Sequence, residues 1–149
     1  AEISEIRQEL IAGGYIRRKG KDKIKLPKTL PPYEFTTSDG FRVLVGRNNV
    51  QNDKLTFKTA KNYDMWLHTQ GFAGSHTVIV SDNREITDTA IEEAARIAAR
   101  FSSADGADKV PVDYTLIKNV KKPNNPKPGK VIYHVYNTIY VTPNRDIQL

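Results

Sequence analysis

The sequence predicts an α+β fold: a mixed, largely antiparallel sheet with one long Ala-rich helix and one short helix, preceded by the end of a longer helix. Three observations carry this. Short apolar runs recur between clusters of Gly, Pro, Asn and Asp, as strands do. One run, "TDTAIEEAARIAARFSSA", has clear helical periodicity. Helices and strands do not alternate regularly, which argues against βαβ units.

Ile3, Ile6, Leu10 and Ile11 have helical spacing, and Gly13-Gly14 ends the pattern. Residues 15–32 form a basic connector that Pro27, Pro31 and Pro32 keep non-helical. "YEFTTSDGFRVLVGR" reads as a hairpin turning at Ser38-Asp39-Gly40, with Phe41, Val43 and Val45 on one face. "NNVQNDKLTFKTA" holds a short helix capped by Asn48 or Asn49. Val50, Leu55 and Phe57 give it an imperfect apolar stripe. "DMWLHT" and "SHTVIV" read as strands joined by a loop over residues 71–74. In the long helix, Thr89 and Glu92 have capping-box spacing. Ala90, Ile91, Ala94, Ile97, Ala98 and Phe101 share a face. "VDYTLIKNVKK" and a hairpin in "VIYHVYNTIYVT" complete the strands.

The 149 residues fit one domain that can bury a core without staples. No Cys is present, which excludes disulfides and thiolate metal sites. No apolar run approaches the roughly 18 residues a membrane helix needs. The first residues carry acids and lack the apolar core of a signal peptide. A start without Met, already inside a helical pattern, reads as a fragment of something longer.

Net charge is +6, which favours an acidic partner. It is also segregated. Arg17 to Lys28 holds seven Lys or Arg and a single Asp, and Lys118 to Lys130 holds five Lys and no acid. Such runs suit a basic binding face, although a solvated loop would look the same.

Catalysis is weakly signalled. No Ser lies in a nucleophile elbow, and His68 and His76 are eight apart, a spacing that matches no helical metal site. Asp64 and His68 could form a dyad on one strand face, the weakest of the functional readings. Binding is better signalled. Arg47, Asn48, Asn49, Gln51 and Asn52 can hydrogen-bond base edges, sugars and phosphates, or can cap and turn the chain. Strand alternation puts Asp64, Trp66 and His68 opposite Met65 and Leu67. Trp66 is then either a stacking platform for an unpaired base or core under a second layer. "KNVKKPNNPKPGK" is a Pro-rich basic loop suited to a polyanion.

"DGFRVLVGRNNVQNDKLTFKTA", "DMWLHT", "GSHTVIV" and "VDYTLIKNVKKPNNPKPGKVIY" together resemble the RNA-binding region of the NFACT family, over about Pro32 to Pro143. This family comprises RqcH-like bacterial ribosome quality-control factors and their NEMF-like eukaryotic relatives. Many Gram-positive members are named fibronectin-binding proteins. "EISEIRQELIAGGYI" resembles the end of the family's coiled-coil arm, which assigns residues 1–14 to that arm and residues 33–149 to the RNA-binding domain.

The resemblance implies a module of a larger, cytoplasmic protein. Such a protein binds tRNA and the large ribosomal subunit, and supports C-terminal alanine tailing of stalled chains. The module would hold RNA, perform no covalent step and need no cofactor or metal. The family's Asp-Trp-His element falls on Asp64, Trp66 and His68, and its amide block on Arg47, Asn48, Asn49, Gln51 and Asn52. Lys54, His76, Lys118, Lys121, Lys122 and Lys127 complete the expected RNA-binding set. Where relatives often have a charged, Pro-containing loop after "WLHT", this chain has "QGFAGSH". The alternative is a cell-surface adhesin module for host fibronectin, pairing through an exposed strand.

Overall fold

The computed structural model describes residues 30–149; the coiled-coil assignment and all but the last residues of the connector lie outside the described residues. β1 (Tyr33–Thr36) and β2 (Arg42–Val45) form the expected hairpin, with Gly40 at φ +93° in its turn. That left-handed conformation suits a residue without Cβ. Asn48 caps α1 (Asn49–Lys54) by accepting from the Gln51 N–H at 2.8 Å. A π-helical segment, Leu55–Thr59, continues it. β3 (Met65–Thr69), β4 (Thr77–Val80), α2 (Asp88–Arg100), β5 (Val110–Leu116) and β6 (Asn137–Val141) follow.

The six strands make one sheet in the order β1-β2-β4-β3-β5-β6, and every pairing is antiparallel. Alternation then sorts side chains to two faces. Phe41, Val43, Val45, Leu67, Ile79, Val110 and Val112 pack against the Ala-rich side of α2. Ala94, Ala95 and Ala99 are fully buried there, so the helix sits close to the strands. Leu44, Trp66 and Val78 point the other way, against Leu55, Ile117 and Val120. Both faces of the sheet are covered, which makes Trp66 a core residue with no exposed surface.

Two local expectations change. The N-cap of α2 is Thr87, whose hydroxyl accepts from the Ala90 N–H at 3.0 Å, so the helix begins ahead of the Thr89–Glu92 pair. Thr87 also bonds Asp39 at 2.5 Å, which ties the helix start to the β1–β2 turn. The hairpin expected in 131–142 does not form. Only Asn137–Val141 is a strand, and its partner is β5. Val131 and Tyr133 pack instead against the Trp66 cluster, while Thr115 holds the Val135 carbonyl at 2.6 Å. Their apolar alternation serves a covering loop.

Candidate nucleic-acid interface

The face opposite α2 carries an open cleft of about 510 Å3. Three segments build it: the start of α1, the end of β3 with its Gly-rich loop, and the end of the Pro-rich basic loop. Asn49 and Asn52 come from the first, Trp66, His68, Phe72 and His76 from the second, and Gly129, Lys130 and Tyr133 from the third.

Close contacts lock these segments together. Asn52 is buried, and its side-chain oxygen accepts from the His76 backbone N–H at 3.2 Å. This requires Gly46, because a Cβ there would lie 1.9 Å from that oxygen. His76 Nε2 is 3.0 Å from the Gly129 carbonyl, and Nδ1 is 2.7 Å from the Thr56 hydroxyl. A carbonyl can only accept, so Nε2 carries the proton and Nδ1 accepts from Thr56. Burial, with His68 nearby, lowers the His76 pKa to about 4. The ring is therefore neutral at physiological pH.

His68 stacks on Trp66, with ring centroids 5.7 Å apart and planes 6° from parallel. Its two ring nitrogens face the carbonyls of Thr69 at 2.7 Å and Gly74 at 3.1 Å. Burial lowers its pKa against the opposing pull of those two acceptors. His76 and Tyr133 meet Trp66 edge-on at 5.3 and 4.9 Å. Asp113 is buried beside them and accepts from Tyr133 and Thr138 at 2.7 Å each and from Gln70 at 2.9 Å. Burial and this carboxylate push the Tyr133 phenol upward, so it stays a hydrogen-bond donor.

Of the residues expected from sequence, Asn49, Asn52, Trp66, His68 and His76 meet in this cleft. Asp64 does not join them. It is buried, with Oδ2 accepting from Lys61 N–H and Oδ1 from Ser81 N–H, both at 2.9 Å, and it lines a separate cavity of about 360 Å3. This geometry breaks the Asp64–His68 dyad. Asn48 is engaged as the α1 cap. Arg47 lies over the Tyr33 ring at 3.8 Å. Lys54, Lys118, Lys121 and Lys127 are exposed, Lys118 near the Tyr63 ring. Lys122 pairs with Asp53 at 3.0 Å. Phe72, Lys130 and Tyr133 complete the cleft and were absent from the expected set. Lys130 belongs to the basic loop already visible in the sequence, whereas no local pattern marks Phe72 or Tyr133.

Residues 32–135 match the family described as the NFACT protein RNA binding domain. The chain belongs to this family. A protein named Rqc2 homolog RqcH from Bacillus subtilis (strain 168) is 49% identical over 149 residues, covering 97% of this chain and 25% of that protein. The protein of the same name from Streptococcus suis (strain 05ZYH33) is 44% identical over 147 residues, covering 98% of this chain and 26% of its own length. This chain thus spans about a quarter of the curated relatives it matches. A solved structure described as the C-terminal part of the fibronectin/fibrinogen-binding protein from Streptococcus suis superposes with TM-score 0.78 at 43% identity. That match covers 97% of this chain and 57% of the solved one. The basic loop and the whole lining of the cleft lie inside the region that matches the NFACT RNA-binding domain family.

Proposed function

We propose that this chain is the RNA-holding module of a ribosome quality-control factor. It binds tRNA and the large ribosomal subunit while stalled chains are rescued and tailed with alanine in the cytoplasm. It holds RNA without covalent chemistry of its own. One observation carries the reading within the family: the lysine-bearing loop 118–130 packs back onto the cleft through Gly129. Of its exposed lysines, Lys130 lines this polar, ring-bearing recess, and the others lie on the same loop. Point charges on a loop suit phosphates, which position RNA without reading its sequence.

Titration with tRNA and with large ribosomal subunits at several salt concentrations tests this. Affinity is expected to fall steeply with salt through counterion release. Replacing Lys118, Lys121, Lys122 and Lys127 together with Gln should weaken binding to all RNA sequences alike. The salt slope should drop by about 0.7–0.9 for each lost phosphate contact. Lys122 should contribute least, since Asp53 already neutralises it. Unchanged affinity and slope would remove the loop from the binding face.

A second reading, fibronectin binding, is favoured by the description of the Streptococcus suis structure and by the exposed Tyr136 and Tyr140 at the outer strand β6. If fibronectin uses the basic face, excess tRNA should displace it. If it adds to the β6 edge, both ligands should bind together.

A further inference from the structure

The cleft holds more chemistry than a phosphate track needs. We propose that it takes the base of one unpaired RNA nucleotide, with the adjoining phosphate at Lys130. The proposal rests on the RNA-binding reading and adds the site and the ligand class.

A volume of about 510 Å3 lies within the roughly 300–1,000 Å3 of small-molecule sites. The lining includes five aromatic rings, Trp66, His68, Phe72, His76 and Tyr133. Phe72 is 43% exposed on the Gly-rich loop, an aromatic held out to solvent at the cleft. Trp66 has no exposed surface, yet its indole N–H has no hydrogen-bond partner among the described residues. A buried orphan donor in a cleft wall is unusual in a purely structural core. Asn49, exposed on the lining, adds an amide of the kind that pairs with base edges. The His76 ring is locked as a neutral tautomer, so it brings no charge against a neutral base. Lys130 is exposed on the lining, where a strand entering the cleft would present its phosphate. A base inside a duplex is stacked and paired, so only an unpaired or extruded one can enter.

Trp66 is the sole Trp of the chain, so its fluorescence reports the cleft directly. The whole chain is titrated with a single-stranded RNA hexamer, an abasic strand of equal length and a blunt duplex. The hexamer should change Trp66 emission saturably, and the abasic strand and duplex should not. Phe72→Ala removes a part-exposed ring outside both core clusters, so the fold should be kept. It should weaken hexamer binding about five-fold or more, as loss of a stacking partner does. Lys130→Gln should weaken it and lower the salt slope. Competition by tRNA would trace the nucleotide to tRNA, and competition by large subunits alone to ribosomal RNA.

Equal emission changes with the abasic strand, or wild-type hexamer affinity in Phe72→Ala, would overturn the proposal. Salt-sensitive tRNA binding with silent Trp66 would also overturn it while leaving the RNA-binding reading intact. No binding of any RNA would remove both.

Discussion

Against one face of the sheet lies α2, and the layer between them is made of Ala, Val, Ile and Leu with aromatic edges. Against the other lie α1, the π-helical segment and the Pro-rich loop. That second layer holds Trp66, Val78 and Leu55, but also buried His76, Asn52, Thr56 and Asp113. An apolar layer needs only shape, and Ala lets backbones approach. A layer with buried polar groups needs a partner for each one, and its members become interdependent. The α2 layer is therefore expected to govern stability alone. The second layer should govern stability and ligand binding together.

The largest effect that could break this contrast is Trp66→Ala. As a fully buried ring it should destabilise the chain by about 3–5 kcal/mol in chemical denaturation. A nearly unchanged melting temperature would mean that Trp66 is not under a second layer, and the two-layer account would fail.

Acid separates the two faces next. A neutral His76 with its pKa at about 4 binds no proton in the fold, while the unfolded chain binds one below the ordinary value of 6.5. Stability should therefore be fully present above pH 6.5 and fall as pH drops toward about 4. His76 alone contributes on the order of 3 kcal/mol, and lowered His68 adds in the same direction. A His76→Gln variant should lose most of its share of this slope. An equal slope in the variant would assign the acid sensitivity elsewhere.

Ala94→Leu probes the helix face. Extra methylenes at this fully buried site should overpack it, at about 1–3 kcal/mol. RNA affinity of the folded protein should stay at the wild-type level, and a loss of affinity would show that the layers are coupled. The smallest test is Thr87→Ala, which removes the cap of α2 and should destabilise by about 1 kcal/mol. Thr89→Ala should change stability by less than about 0.5 kcal/mol. Reversed magnitudes would return the cap to Thr89.

The same contrast explains what was legible in the sequence. The α2 face depends on local periodicity, so Ala90, Ile91, Ala94 and Ala98 could be placed from spacing alone, and so could Phe41, Val43 and Val45. The second layer is made by segments distant in the chain. Alternation correctly set Trp66 opposite Leu67, but no local signal showed that Leu55 and Val131 return to cover it. Tyr133 read as part of a hairpin because its spacing is strand-like, while its hydroxyl is committed to Asp113. Asp64 shares a strand parity with His68 but sits just before β3, where it accepts the N–H groups of Lys61 and Ser81. Of the amide run, Asn48 and Asn52 hold the chain in shape and Asn49 lines the cleft.

The bond between His76 and Gly129 spans 53 residues, and that between Asp53 and Gly129 spans 76. These contacts set a timetable. Closing such loops is slow compared with winding a helix or zipping the β1–β2 hairpin. During synthesis the hairpin and α2 can dock long before the Pro-rich loop has emerged, so most of the α2 layer can assemble while the other face is open, and Val141 of β6 joins it only afterwards. The wall formed by Gly129, Lys130 and Tyr133 arrives late, followed by β6. A chain released before Tyr133 should show helical signal yet leave Trp66 exposed to aqueous quenchers. The ability to hold RNA would then be among the final properties the nascent domain acquires.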